Sequence, residues 1–74
     1  MEIKLVKIEQ DNIKRIRKAL RKWKFRKSGA TVSDVMWVTG LSHFVVAETL
    51  DWMFKNGDVW VIHRYNDNEL RYVG

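Results

Sequence analysis

Glycine residues mark the points at which the middle of this sequence stops being helical. Gly40 follows one run of apolar residues at helical spacing, and Gly57 follows a longer run. Glycine often follows the last turn of a helix because it adopts a positive φ angle without strain. The two glycines therefore predict helices over 32–39 and 43–56, separated by a short turn.

The residues that precede these helices are of the types that cap helix amino termini. Thr31 stands three residues before Asp34, which is the spacing of a capping box, and Ser42 precedes the longer helix. Two helices joined by so short a turn form a helix-turn-helix unit. Its predicted core residues, at the spacing of one helix face, are Val32, Val35, Met36, Val38, Leu41, Val46, Leu50 and Met53.

A further helix is predicted before these two, over 12–26, with Asp11 or Asn12 as its amino-terminal cap. Within it, apolar residues recur at intervals of three, four and three, which places them on one face of a helix. The residues predicted to face the core from this helix are Ile13, Ile16, Leu20 and Trp23.

The other side of the first helix concentrates the positive charge of the chain. The formal net charge is +5, and residues 14–27 include nine basic residues and no acidic one. Residues 28–62 sum to −3. A charged helix face can simply keep a small domain soluble, but mixed signs would serve that purpose better. The uninterrupted positive run therefore favours a polyanionic partner such as DNA.

The carboxy-terminal part of the sequence has the composition of a β-hairpin. Residues 58–65 and 69–73 are rich in β-branched and aromatic residues, and the turn-forming sequence NDN separates them. A hairpin is therefore predicted over 58–73. Alternating apolar and polar residues near the amino terminus indicate a short strand or an extended arm within 1–10. Together these elements predict an α+β fold of three helices followed by a β-hairpin.

Length and composition exclude several classes of protein. The 74 residues suffice for one small domain, 1–74, and the lack of cysteine rules out disulfides and thiolate metal sites. With only two histidines, neither a metal site nor a cofactor is expected. No apolar run approaches the length of about 20 residues that spans a membrane, so a soluble, cytoplasmic protein is expected. No pairing of nucleophile and base is visible, so we do not expect an enzyme.

The sequence TVSDVMWVTGLSHFVVAETLDWMFKNGDV, with the hairpin after it, resembles the winged helix-turn-helix family. The similarity extends over 12–73 and is greatest to small archaeal, archaeal-virus and bacterial ArsR/MarR-type regulators. It implies a winged helix-turn-helix fold and a small transcription regulator that binds double-stranded DNA. The residues that match the family pattern are Thr31, Asp34, Val35, Gly40, Leu41, Ser42, Val46, Leu50, Met53, Gly57 and Val59.

The resemblance also implies which residues would contact DNA. The third helix would meet the bases in the major groove, although Glu48 and Asp51 on its outer face would repel phosphate, so readout is expected to be sparse. The base-contacting candidates are Ser42, His43, Phe44 and Thr49. The candidates in the hairpin, or wing, are Arg64, Asn66, Asn68 and Arg71. The phosphate-contacting candidates in the first helix come from its positive run and not from the resemblance, since the first helix of the family usually supports the core. They are Lys14, Arg17, Lys18, Arg21 and Lys22.

Two alternatives stay open at the level of sequence. Trp37, Phe54 and Trp60 can either cover the small core or lie exposed. Val45 and Trp52 lie seven residues apart on one flank of the third helix, where they could contact a second copy or another protein. The chain could therefore be a winged-helix module that binds a protein through this apolar flank instead of DNA.

Overall fold

The structure of the chain, a computed structural model, describes residues 8–63 and 70–74. Those residues form a small α+β fold of four helices and one antiparallel hairpin, and its order is compatible with a winged-helix layout. The amino-terminal strand predicted within 1–10 lies almost wholly outside the described residues. The elements are α1 (Gln10–Leu20), α2 (Trp23–Arg26), α3 (Val32–Thr39), α4 (His43–Lys55), β1 (Trp60–His63) and β2 (Leu70–Val73).

Helix α3 confirms the prediction over 32–39. The Thr31 hydroxyl accepts a hydrogen bond from the Asp34 backbone N–H at 3.1 Å, and the Asp34 carboxylate accepts one from the Thr31 N–H at 3.1 Å. These reciprocal bonds satisfy two backbone donors that the first turn would otherwise leave unpaired. Gly40 then ends the helix with a φ of +74°.

Helix α4 begins where it was predicted and ends at Lys55, one residue before the predicted end. The Ser42 hydroxyl accepts a hydrogen bond from the Val45 N–H at 3.3 Å, which confirms Ser42 as the amino-terminal cap. Helices α3 and α4 are therefore the helix-turn-helix unit that the sequence predicts.

The prediction of one continuous helix over 12–26 is wrong. Helix α1 begins at Gln10, with Glu9 as its cap instead of Asp11 or Asn12, and ends at Leu20. The backbone is extended at Lys22, with φ −61° and ψ 141°, and the short helix α2 follows in a new direction. Because of this break, Trp23 is 87% exposed instead of facing the core, and Phe25 is buried in its place.

The break between α1 and α2 allows the chain to reach the hairpin. After α2, the N–H of Ala30 donates to the carbonyl of Tyr72 at 2.9 Å, and the N–H of Tyr72 donates to the carbonyl of Ala30 at 2.8 Å. Ala30 thus forms an isolated antiparallel bridge along the outer edge of β2. A straight helix through 26 would have carried the chain past this edge.

The hairpin pairs β1 with β2 in antiparallel register, with Trp60 opposite Val73 and Val61 opposite Tyr72. Side chains alternate between the two faces of such a pair. Tyr72 lies on the inner face and is buried, whereas Trp60 lies on the other face and is exposed.

The core lies between α1, α3 and α4, each of which contacts the other two. Removing each large aliphatic side chain from water contributes about 1.5–3 kcal/mol to folding. Most of the predicted core residues are buried, while Val32, Met36, Val38 and Leu41 pack at its margin. The core cluster is Ile13, Ile16, Leu20, Phe25, Ala30, Val35, Val46, Leu50, Met53, Val59 and Tyr72.

Candidate nucleic-acid interface

Basic side chains cover the outer side of α1 and α2. Of the nine basic residues within 14–27, all except Arg17 are exposed, and we call these eight the basic surface. In the described part of the chain, none of the eight forms a salt bridge with an acidic residue. Their charge is therefore directed to solvent. The basic surface consists of Lys14, Arg15, Lys18, Arg21, Lys22, Lys24, Arg26 and Lys27.

Arg17 differs from its neighbours because an acidic residue lies beside it. Its guanidinium is 3.4 Å from the carboxylate of Asp58, in the turn between α4 and β1. This pair ties α1 to the start of the hairpin and neutralises the Arg17 charge locally. The structure therefore makes Arg17 a weaker candidate for phosphate contact than the sequence indicates.

Three residues of the basic surface form one side of a groove. Arg15 and Lys18 are three residues apart on one side of α1, and Lys22, in the extended segment after that helix, lines the same groove. The groove lies between them and the carboxy-terminal end of α3, where Val38 and Thr39 form the opposite wall.

A second depression lies where α1, α2 and β2 meet. Arg21 and Arg26 line it together with Leu20, Val73 and Gly74. The two arginines come from different helices, and the break at the end of α1 is what brings them to the same place. This convergence of two guanidinium groups could not be predicted from a continuous helix.

A third depression surrounds the exposed indole of Trp23. Its other lining residues are Lys24, Arg26 and Lys27, so Arg26 belongs to both depressions. The Lys24 ammonium also lies 5.1 Å from the centre of the Phe25 ring, a cation–π contact that holds this lysine at the surface. The exposed indole of Trp23 therefore lies among the positively charged side chains of the basic surface.

The amino terminus of α4 forms a separate surface. His43 lines a shallow depression with Thr31, Val32, Ser33 and Leu70, residues from the start of α3 and the start of β2. None of these residues lines the groove beside α1. Ser42, His43 and Phe44 are exposed at the start of α4, where His43 lies near the hairpin residue Leu70 and not in the groove beside α1.

The prediction that Thr49 contacts bases is wrong. Thr49 is only 1% exposed. It lies on the inner side of α4, next to Leu50 along the chain, so its hydroxyl faces the core and cannot reach a ligand outside the protein. The helical spacing placed it near the boundary between the inner and outer faces, and packing decided which side it took.

The hairpin candidates are only partly described. Arg64, Asn66 and Asn68 lie outside the described residues. Arg71 lies in β2 opposite Ile62, and it is half-buried.

The outer face of α4 beyond its first turn is acidic. Glu48 and Asp51 are exposed, and the only basic residue of this helix, Lys55, forms a salt bridge with Asp51 at 3.0 Å. The hydrogen bond from Lys55 to the Asp51 carboxylate, and then the attraction between their charges, raise the pKa of Lys55. The pairing leaves no unpaired positive charge on α4 with which to hold phosphate.

Large aromatic side chains are exposed on several elements. Trp37, Phe54 and Trp60 do not cover the core, so the alternative in which they form its lid is wrong. Val45 is half-buried and Trp52 is 36% exposed. These last two lie about 20° apart around α4, at 100° per residue, and form a small apolar flank.

No protein-family model matches the sequence, and neither a curated protein nor a solved structure shows significant similarity to it. Within the described residues, no helix is long and apolar enough to cross a membrane, and no group of three or more His, Cys, Asp or Glu side chains could hold a metal ion. The geometry of the surface is therefore the basis for a functional proposal.

Proposed function

We propose that this chain is a DNA-binding domain of the winged-helix type, acting as a small transcription regulator. It binds double-stranded DNA through its phosphate backbone. The observation on which the proposal depends is the basic surface: eight exposed cations on adjacent helices, none of them in a described salt bridge. Repulsion between like charges held together in this way lowers the stability of a fold. Binding of an anionic partner explains why such charges are kept.

The groove beside α1 supports phosphate as the group that is bound. Arg15 and Lys18 of α1 and Lys22 of the segment after it line the same groove, and the wall contributed by Val38 and Thr39 limits approach from one direction. Each phosphate that such cations neutralise releases condensed counterions from DNA. This contribution to affinity is independent of sequence and positions the protein on the duplex.

Sequence readout, in this proposal, is limited and falls to the start of α4. Ser42 and His43 can donate hydrogen bonds, and the exposed Phe44 can contact a thymine methyl group. Glu48 and Asp51 disfavour close approach of the rest of this helix to phosphate. We therefore expect strong dependence on salt and weak preference among sequences.

Salt titration of duplex binding tests the proposal. We expect the logarithm of the binding constant to fall linearly with the logarithm of NaCl concentration, with a slope that corresponds to several phosphates. Reversal of Arg15, Lys18 and Lys22 to Glu should abolish binding, as followed by anisotropy of a labelled duplex.

A matched pair of single substitutions removes the effect of net charge alone. Lys18→Gln and Lys55→Gln each remove one positive charge, but Lys18 forms no salt bridge with any described residue, whereas Lys55 is paired with Asp51. Lys18→Gln should reduce the salt slope by about 1, whereas Lys55→Gln should leave it unchanged. Equal effects of the two substitutions, or no duplex binding at low salt, would contradict the proposal.

A second function is favoured by the apolar flank of α4. Trp52, with Val45 beside it, presents an indole that the core does not need, which suits contact with a second copy or another protein. In that case Trp52→Ala should convert an oligomer or complex to monomer without unfolding the domain. An unchanged mass in sedimentation would remove this alternative.

A further inference from the structure

We propose that the depression formed by Arg21 and Arg26 binds unpaired nucleotides of DNA, with bases stacked on Trp23 and Trp60, the exposed indoles next to its lining residues. This inference rests on the proposed function, since it names a second form of DNA that the same basic surface recognises. It concerns a region at the junction of α1, α2 and β2, away from the groove that holds duplex phosphates.

Trp23 lies beside Arg26, one of the residues that line the depression. Its indole is 87% exposed because the break in the helix turned it away from the core and placed Phe25 there. It shares a lining residue with the depression, because Arg26 contributes to the surroundings of both. The indole therefore lies next to a guanidinium, within the most basic part of the chain.

Trp60 lies beside Val73, one of the residues that line the depression. It is 74% exposed and lies directly opposite Val73 in the hairpin. Side chains of such opposite residues lie on the same face, with their Cβ atoms about 5 Å apart. Val73 itself lines the depression with Arg21 and Arg26. Each of the two exposed indoles is thus next to a residue that lines the depression: Trp23 is next to Arg26, and Trp60 is next to Val73.

This combination of groups fits single-stranded nucleic acid better than duplex. In a duplex the flat faces of the bases are stacked on one another, and only phosphates and base edges are accessible. An unpaired strand offers both phosphates and free base faces, which bind cations and aromatic side chains respectively. Arg21 and Arg26 can bind the phosphates, and the indoles of Trp23 and Trp60 can stack on the base faces.

Charge argues against an apolar protein surface as the occupant. Such a partner would have to remove water from Arg21 and Arg26 without offering them a counter-charge, which is unfavourable. The indole of Trp37, which is 88% exposed, does not share this setting. Trp37 lines none of the depressions that the basic residues form, whereas Trp23 lines one, and it is not paired across the hairpin with a lining residue, whereas Trp60 is.

Binding of an oligo(dT) strand and of a blunt duplex to the full chain tests the inference. Trp23→Ala and Trp60→Ala should each weaken oligo(dT) binding by about tenfold, the loss of one stacked base, and leave duplex affinity within about twofold. Trp37→Ala is the matched control and should change neither affinity. All three indoles are exposed, so the variants should retain the helical circular dichroism of the parent protein.

The outcomes separate this inference from the proposed function. Unchanged oligo(dT) affinity in both Trp23→Ala and Trp60→Ala, with duplex binding intact, would overturn the stacking site and leave the proposed function in place. Equal weakening of duplex and oligo(dT) binding by these substitutions would also overturn the stacking site and leave the proposed function in place. Absence of binding to either DNA at low salt would overturn both. Loss confined to oligo(dT) in the two variants, with Trp37→Ala unaffected, supports the inference.

Discussion

Gly29 occupies the most constrained backbone position next to the hairpin. Its φ is +76°, and a Cβ atom there would lie 2.9 Å from the Cβ of Arg71 and 3.3 Å from Cγ2 of Val73. We expect Gly29→Ala to lower the free energy of unfolding by about 1–2 kcal/mol for the left-handed backbone, plus about 1–3 kcal/mol for the steric conflict with β2. Urea denaturation measures the sum.

Gly40 provides the control for the backbone contribution alone. Its φ is +74°, but no atom lies within 4 Å of the position that a Cβ would occupy. Gly40→Ala should therefore cost only about 1–2 kcal/mol. If both substitutions cost the same, close approach to β2 is not what requires glycine at 29.

Tyr72 links stability to pH. Burial of its side chain, and then the negative charge of Asp51, raise the pKa of this phenol above its usual 10.0. A raised pKa means that the folded state holds the phenol proton more tightly than the unfolded chain does. The resulting stabilisation is fully present below pH 10 and is lost as pH rises through the folded pKa.

The expected result is a steeper loss of stability above pH 10 in the parent protein than in Tyr72→Phe. Phenylalanine retains the ring but does not ionise, so the difference between the two proteins isolates Tyr72 from other groups that titrate in the same range. Free energies of unfolding measured between pH 8 and pH 11.5 would show it. Parallel curves would contradict this account.

Single residues also show where sequence reasoning reaches its limit. Trp23 and Phe25 are two positions apart, so one straight helix cannot bury both, and the spacing from Leu20 favoured the wrong one. No local feature of the sequence shows which of the two is buried, because this depends on where the chain turns after α1. Trp23 was consequently missed as a candidate binding residue, and so was Arg26.

At the level of elements, the helix-turn-helix unit was predictable because its boundaries are set locally. The Thr31 and Asp34 pair, the Ser42 cap and the glycine stops act within a few residues of the sequence. The end of α1 has no such local signal, and the pairing of Ala30 with Tyr72 that follows it joins residues far apart in the sequence. Such a contact has no signature in the sequence next to α1.

The capping box of α3 gives a direct test of local stabilisation. Thr31→Ala removes the hydroxyl that accepts from Asp34 N–H, and it should lower the free energy of unfolding by about 1 kcal/mol. Ser33→Ala, an exposed substitution within the first turn, should have an effect of less than about 0.5 kcal/mol. Thermal denaturation of the two variants distinguishes capping from a general effect of alanine in this turn.

At the level of the whole molecule, charge is unevenly distributed. The sequence predicted this asymmetry, since nine basic residues within 14–27 are a property of composition. It could not predict how α1 and α2 divide them among separate depressions, because that division depends on the break between the helices. The placement of Arg21 beside Arg26 and Val73 is the result.

Stability and binding should therefore respond to the basic surface in opposite directions. Lys18 lies four residues from Lys14 on α1, and like charges at this spacing cost about 0.2–0.5 kcal/mol per pair. Lys18→Gln should raise the free energy of unfolding by several tenths of a kcal/mol at low salt, while it weakens duplex binding. The gain should disappear at high salt because the repulsion is screened.

Lys55→Gln should behave in the opposite way. It removes the salt bridge with Asp51, so it should slightly lower stability and leave DNA affinity unchanged.

A residue such as Lys18, whose substitution is expected to stabilise the fold but weaken binding, is one kept for function at the expense of stability. If Lys18→Gln stabilises the domain without any loss of DNA affinity, the positive charge of α1 has no role in binding, and its repulsion must be explained by another partner.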